Sequence, residues 1–377
     1  MYTSLHLFGL LVLVLGLSGV LRATSQTGSE PFKPWEYEKK TAHCPAVRRE
    51  PVREEMFIQL KYVDINPEAS TTIIMVHGWP SLWSTWSHQI QEFKNDYHLI
   101  IPDLRGFGES THPGDARPSG TLADMVGDLV CILEDAKVDT TICMGHDWGA
   151  SICYEAARSR PDIFTAVVGA AVPYLPSTGS YTPVTRLLWH IPTLSYQVFL
   201  DTQPEAATAE LDKDIRRTVR ATLRTLDSPP PKGFLRSQKS FLAAWDGVET
   251  PPVPFFTPEE EDYFVQQYGI QGFRHTIQFY STQNRLQSWE FVHSQGNHTI
   301  PHPVLAIYPT KDLVADWVMV AKAVKSAKFL PKLETLLLHG SHWIQLERPQ
   351  EFNEAVREWL ERLAGVEMEH LAQHEEL

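Results

Sequence analysis

Five residues, Gly145-His146-Asp147-Trp148-Gly149, follow the apolar run Thr140-Thr141-Ile142-Cys143-Met144 and precede the helix-like Ala150-Ser151-Ile152-Cys153-Tyr154-Glu155-Ala156-Ala157. Strand, sharp turn and helix in that order are the setting of a nucleophile elbow, G-x-S-x-G, with aspartate standing where serine is usual. The replacement changes the chemistry. A carboxylate with an ordinary pKa of about 3.9 is already ionised at neutral pH and attacks without a base to deprotonate it. Its adduct with an alkyl electrophile is an ester, which water can cleave. The motif therefore predicts substitution at alkyl carbon rather than hydrolysis of an amide or ester.

Two further residues complete a chemical set. Asp312 follows the strand-like Pro303-Val304-Leu305-Ala306-Ile307-Tyr308, and His342 follows Glu334-Thr335-Leu336-Leu337-Leu338-His339-Gly340-Ser341. Either residue alone is an ordinary turn or loop residue. Together, in the order nucleophile, acid, histidine, and each just after a strand, they predict a triad of Asp147, Asp312 and His342 at the ligand-binding end of an open sheet. Upstream, His77-Gly78-Trp79-Pro80 follows another strand. Its glycine permits a sharp turn, and the Trp79 N–H joins the Trp148 N–H as a two-donor oxyanion hole. His77, with Gly78 and Pro80, is read as support for this loop rather than as a reacting group.

The elements that must position these residues alternate along the chain. Thr71-Thr72-Ile73-Ile74-Met75-Val76, His98-Leu99-Ile100-Ile101-Pro102 and Phe164-Thr165-Ala166-Val167-Val168-Gly169-Ala170 read as strands buried on both faces. Residues 122–133 read as a helix between them. This succession predicts an α/β fold with a doubly wound, mostly parallel sheet. From 176 to 300 prolines cluster, aromatics are frequent and β-branched runs vanish, which predicts a mainly helical lid. The expected organisation is an apolar segment at 1–23, a linker or arm at 24–45, core at 46–175, the lid at 176–300, core again at 301–365 with a closing helix over 350–363, and an acidic tail at 366–377.

Composition narrows the function. A formal net charge of -13 argues against a nucleic-acid partner, because no basic face is available for phosphates. Cys44, Cys131, Cys143 and Cys153 form no C-x-x-C and suggest neither a disulfide framework nor a metal ladder; Cys143 and Cys153 read as small apolar core residues. The histidines lack metal-ligand spacing, and no metal or cofactor is predicted. Residues 5–21 carry no charge and predict a cleaved secretory signal or a luminal-facing membrane anchor. Asn297-His298-Thr299 is then a usable glycosylation sequon.

With these motifs in view, the chain resembles the epoxide hydrolases of the α/β-hydrolase fold over about residues 50–365. The likeness rests on His77-Gly78-Trp79-Pro80, Asp103-Leu104-Arg105-Gly106-Phe107-Gly108-Glu109-Ser110, Gly145-His146-Asp147-Trp148-Gly149 and Gly340-Ser341-His342-Trp343. The resemblance implies two lid tyrosines that hold the epoxide oxygen. Tyr196 matches the first by its tyrosine–glutamine setting, and Tyr280 matches the second, although His275-Thr276 and Gln278-Phe279 depart from the pattern before it. It also implies an apolar epoxide and water as reactants, a covalent ester on Asp147, and hydrolysis of that ester by water that His342 activates. Trp189, Phe199, Trp245, Phe255 and Phe256 are candidates for the apolar pocket wall. A haloalkane dehalogenase is the nearest rival, but Trp79 occupies the slot where a halide-binding asparagine is common. A non-catalytic binding protein would have no need of the whole triad.

Overall fold

A computed structural model describes residues 31–114 and 117–375, with side chains described as far as residue 365. The expected signal or anchor at 5–21 lies outside the described residues. Eight strands form one sheet: β1 (Lys39–Arg48), β2 (Glu54–Ile65), β3 (Thr72–Val76), β4 (His98–Pro102), β5 (Thr141–His146), β6 (Phe164–Ala170), β7 (Val304–Pro309) and β8 (Leu333–Leu338). Their order is β1-β2-β4-β3-β5-β6-β7-β8. From β4 to β8 all pairs are parallel, and β1 and β2 add an antiparallel edge.

The middle strands β3, β4, β5 and β7 are buried at every position. Helices cover both faces, so β-branched and aliphatic residues pack on either side, each contributing about 1.5–3 kcal/mol through burial. One covering helix, Leu122–Asp135, opens on a capping box: the Thr121 side chain accepts from the Asp124 N–H, and the Asp124 carboxylate accepts from the Thr121 N–H. Between β6 and β7 the chain is helical, with Ser195–Thr202, Pro258–Gln271 and Thr282–Gln295 among its helices. Among the described residues no helix is long and apolar enough to cross a membrane.

Three expectations need correction. Residues 39–45, assigned to the arm, form most of β1, which pairs with β2 through registers such as Cys44 opposite Ile58. The inward positions Ala42, Cys44 and Ala46 are small because helix Leu122–Asp135 lies against them, so the alternation carries little apolar signal. The closing helix runs Pro349–Glu375, so its backbone extends through most of the segment assigned to the tail.

The cysteines are also paired, as Cys44–Cys131 and Cys143–Cys153. The first pair joins β1 to the helix packed on it. The second joins β5 to helix Trp148–Ser159, because the elbow folds that helix directly back along the strand. Neither pairing follows a short spacing motif: the partners are 87 and 10 residues apart and meet only through tertiary packing.

Candidate active site

The elbow is shaped by what its neighbours leave no room for. A Cβ on Gly149 would collide with the Val76 carbonyl, and one on Gly145 with the Gly149 carbonyl, so glycine lets strand and helix meet this closely. Between them Asp147 adopts φ 55° and ψ −121°, a conformation costing a non-glycine residue about 1–3 kcal/mol. The strained turn projects the carboxylate from the end of β5 into the pocket.

There the two carboxylate oxygens differ. Oδ1 accepts the Trp79 N–H at 2.9 Å, while Oδ2 faces His342 Nε2 at 3.5 Å. The latter distance is an ion pair and too long for a good hydrogen bond. Trp148 is the first residue of its helix, and its N–H belongs to the turn that has no intrahelical acceptor. On the far side of the imidazole, His342 Nδ1 lies 2.7 Å from Asp312 Oδ2. Asp312 is itself fixed by the Trp317 indole N–H on Oδ2 and the Val314 N–H on Oδ1, each at 2.7 Å. The structure thus brings Asp147, His342 and Asp312 into one line from the ends of β5, β8 and β7.

Burial opposes both charges in this line, and the charges override it. Burial alone would lower the His342 pKa, but the Asp312 and Asp147 carboxylates push it up to about 10. Burial alone would raise the Asp147 pKa, yet the adjacent His342, then His146 and the Trp79 N–H, hold it below the ordinary carboxylate range. The resting pair is therefore aspartate and imidazolium.

The oxyanion loop is pinned from below. Neutral His77, its pKa lowered by burial, donates from Nδ1 to the Gly78 carbonyl at 2.9 Å and accepts the Leu104 N–H at Nε2 at 3.0 Å. Gly78 leaves the space that Asp147 occupies, since a Cβ there would meet Oδ1 at 2.5 Å. The Trp79–Pro80 bond is cis, and Pro80 lines the pocket.

Above the nucleophile stand the two tyrosines. The Trp79 ring stacks on Tyr196 at 6.5 Å and meets Tyr280 edge-on at 5.1 Å, so the residue whose amide holds Asp147 also seats both phenols. The Tyr196 and Tyr280 rings meet edge-on at 5.5 Å, and the Trp148 ring meets Tyr280 edge-on at 5.8 Å. Gln197 Nε2 donates to the Tyr196 hydroxyl oxygen at 3.2 Å. Burial, reinforced by Asp147, pushes Tyr196 to about 12, and burial with Tyr196 and Asp147 drives Tyr280 well above the ordinary phenol value. Both are protonated donors at neutral pH.

Where the chain departs from the expected pattern before Tyr280, local partners account for it. Thr276 Oγ1 accepts the Trp79 indole N–H at 3.1 Å and donates to the Phe273 carbonyl at 2.9 Å. His275 stacks on His112, and Gln278 Nε2 donates to the Arg105 carbonyl.

The pocket wall corrects a sequence expectation. It comprises Trp79, Tyr196, Phe234, Leu235, Phe241, Leu313, Val314 and Trp343 around Asp147 and His342, with the backbone turn at Thr222 and Arg224 beside them. None of Trp189, Phe199, Trp245, Phe255 or Phe256 lines it. Trp189 is exposed, Phe199 and Trp245 are core, and Phe255 and Phe256 pack on the core margin. Aromatic frequency marks a lid without telling its inner face from its interior.

Sequence reading also missed the supports of the triad. His146 Nε2 donates to the His342 carbonyl at 2.8 Å, tying the nucleophile's neighbour to the histidine loop, and burial with the nearby His342 lowers the His146 pKa to about 4. His146 was visible as part of the elbow; nothing local marked Trp317 as the donor to Asp312. Among the described residues no His, Cys, Asp or Glu cluster is arranged to hold a metal ion.

Sheet order, strand-end triad and elbow define one class of protein, and a family model described as alpha/beta hydrolase fold matches residues 71–349; the chain belongs to this family. Within it, the chain is 29% identical over 318 residues to epoxide hydrolase A of Mycobacterium tuberculosis, covering 82% of this chain and 96% of that relative. It is 26% identical over 309 residues to bifunctional epoxide hydrolase 2 of Mus musculus, 81% of this chain but 54% of the mouse protein, so it spans about half of that relative. Among solved structures, epoxide hydrolase A from Mycobacterium thermoresistibile is similar with a TM-score of 0.67 at 26% identity, over 86% of this chain and 98% of that one.

Proposed function

We propose that this enzyme is an epoxide hydrolase that opens an oxirane to a vicinal diol through an ester on Asp147. The observation that carries the mechanism is the asymmetric carboxylate: Oδ1 is engaged by the Trp79 N–H, Oδ2 accepts no hydrogen bond shorter than its 3.5 Å approach to His342 and is the oxygen left to attack, and two packed phenols stand across the pocket. Oδ2 forms a bond to an oxirane carbon as the ring C–O bond breaks, and Tyr196 with Tyr280 donates to the departing oxygen. Oδ1 becomes the ester carbonyl oxygen, already seated on the Trp79 amide. Water then adds to the Asp147 carboxyl carbon, Oδ1 carries the tetrahedral negative charge toward the Trp79 and Trp148 amides, and the diol leaves as the carboxylate reforms.

The protons balance within the triad. Resting His342 is an imidazolium held by two carboxylates. Esterification erases the charge on Asp147, one of the two influences that keep the ring protonated, so the imidazole releases a proton as the alkoxide gains one. The neutral ring is then the base that takes a proton from water, with Asp312 orienting it and stabilising the renewed positive charge.

We place the chain in the secretory pathway as part of the same proposal, with residues 5–21 as signal or membrane anchor and Asn297 as glycosylation site. The uncharged run, two disulfides and the exposed position of Asn297 support this. The apolar wall of Phe234, Leu235 and Phe241 supports an apolar epoxide as the substrate.

A panel of epoxides with chiral diol analysis tests the reaction. Diol formation by the wild-type chain, abolished in Asp147→Ala with the fold retained, is the expected result. Halide release from haloalkanes without any diol from epoxides would replace the reading with dehalogenation.

A further inference from the structure

Behind the two phenols lies a cation with no role in the scheme above. Arg285, in helix Thr282–Gln295, sends Nε to the Phe279 carbonyl at 2.8 Å and Nη2 to Gln197 Oε1 at 3.0 Å. Gln197 in turn donates from Nε2 to the Tyr196 hydroxyl oxygen. The guanidinium also lies over two aromatic faces, Trp148 at 5.0 Å and Tyr280 at 5.6 Å. No carboxylate pairs with it directly: among the described residues its electrostatic neighbours are Tyr280, Tyr181, Tyr196 and Asp201, and the Asp201 carboxylate is engaged by the N–H and hydroxyl of Thr282. Partly burying a guanidinium without a carboxylate is costly, and here four neutral partners take its charge, two of them, Gln197 and the Tyr280 ring, leading to the epoxide-binding phenols.

We infer that Arg285 is a positioning residue that directs positive charge to the epoxide oxygen through Gln197 to Tyr196 and through the ring face of Tyr280. This role rests on the epoxide-opening reading and extends it. As the oxirane C–O bond breaks, negative charge develops on the oxygen and is shared with the two phenols. A guanidinium polarising the Gln197 amide strengthens the bond that Gln197 donates to the Tyr196 oxygen, and that bond makes the Tyr196 O–H a better donor to substrate. Over Tyr280 the same charge stabilises the ring as electron density grows on its oxygen. The effect offsets what burial does to these phenols, since burial alone makes them poorer donors. It acts on the first half-reaction only. Ester hydrolysis proceeds on the opposite side of the pocket, between Asp147 and His342.

Rapid-mixing kinetics with an epoxide that the wild-type chain opens separate the two half-reactions. Arg285→Met keeps the aliphatic stem and removes the charge. It is expected to slow alkylation of Asp147 by roughly 10- to 100-fold, the range of one charge-assisted hydrogen bond, with the ester hydrolysis rate within about twofold of wild type. Arg285→Lys restores a cation without the fork and recovers part of the loss. Gln197→Leu cuts the path to Tyr196 with Arg285 left in place, so it reads the same link even where Arg285→Met fails to fold. Its effect combined with Arg285→Met is less than the product of the two, because both break one chain of bonds. Alkylation at the wild-type rate in Arg285→Met and Gln197→Leu, equal slowing of both half-reactions, or no recovery in a folded Arg285→Lys would each overturn the role. A wild-type chain that forms no ester with any epoxide would overturn the reaction and this role together.

Discussion

Replacing Asp312 by asparagine tests the division of labour between the two half-reactions. The carboxylate lies 2.7 Å from His342 Nδ1, and with Asp147 it lifts the imidazole from 6.5 to about 10 against the opposing effect of burial. That shift of 10 minus 6.5 corresponds to about 5 kcal/mol at 1.36 kcal/mol per unit. In the ester intermediate Asp147 carries no charge, so Asp312 alone must stabilise the imidazolium that forms as water attacks. Because burial opposes the shift, the carboxylates together supply more than this net figure; Asp312→Asn removes a large share of it and should slow that step by roughly two to four powers of ten. Alkylation should change far less, since the carboxylate of Asp147 needs no base. The assay is single-turnover mixing with an epoxide, followed by intact-protein mass spectrometry: the variant should accumulate a covalent adduct on Asp147, and His342→Gln should do the same. Hydrolysis slowed by less than tenfold, or alkylation slowed as much as hydrolysis, would refute the reasoning.

Other outcomes follow from the same structure. Because the folded His342 pKa is raised, its ion pairs stabilise the fold fully below pH 6.5 and lose that contribution as pH rises through about 10; chemical denaturation of wild type and His342→Gln across this window should show the difference shrinking. Gly149→Ala drives a methyl group into the Val76 carbonyl and should destabilise the fold by about 1–3 kcal/mol or more, with activity falling with the elbow geometry, read by denaturant melts and turnover. Replacing both members of each cysteine pair by alanine should cost about 3 kcal/mol for Cys143–Cys153 and about 5 kcal/mol for Cys44–Cys131, as loop-closure entropy scales with their separations of 10 and 87 residues; equal losses would argue against that entropic origin.

How much was legible before folding depended on range. The strands β3 to β7 stand where continuous β-branched runs predicted them, because a strand buried on both faces needs no partner to reveal its composition. β1 was hidden, since its inward residues are alanine and cysteine, small enough to admit a helix but too weakly apolar to betray a strand. Asp147, His342 and Asp312 could be nominated because each sits beside a strand end with a local signature. Arg285 could not: its meaning lies in Gln197 and two ring faces brought to it from other elements. The pocket wall failed for a related reason, as Trp245 and Phe234 are equally aromatic in the sequence and only packing turns one to the cavity.

The sequence by itself determined the short-range matters: an aspartate at an elbow, the glycines that let strand and helix close on each other, and the order of the sheet-forming runs. These follow from backbone sterics and from a carboxylate's intrinsic acidity, which neighbours in the chain suffice to specify. Tertiary structure alone decided which oxygen of Asp147 the Trp79 amide holds and which faces His342, that His342 rests charged between two carboxylates, that four cysteines pair, and that a cation stands behind the phenols. Each of these depends on distances of a few ångströms between residues far apart in the chain, where burial and charge act together and no local pattern records the result.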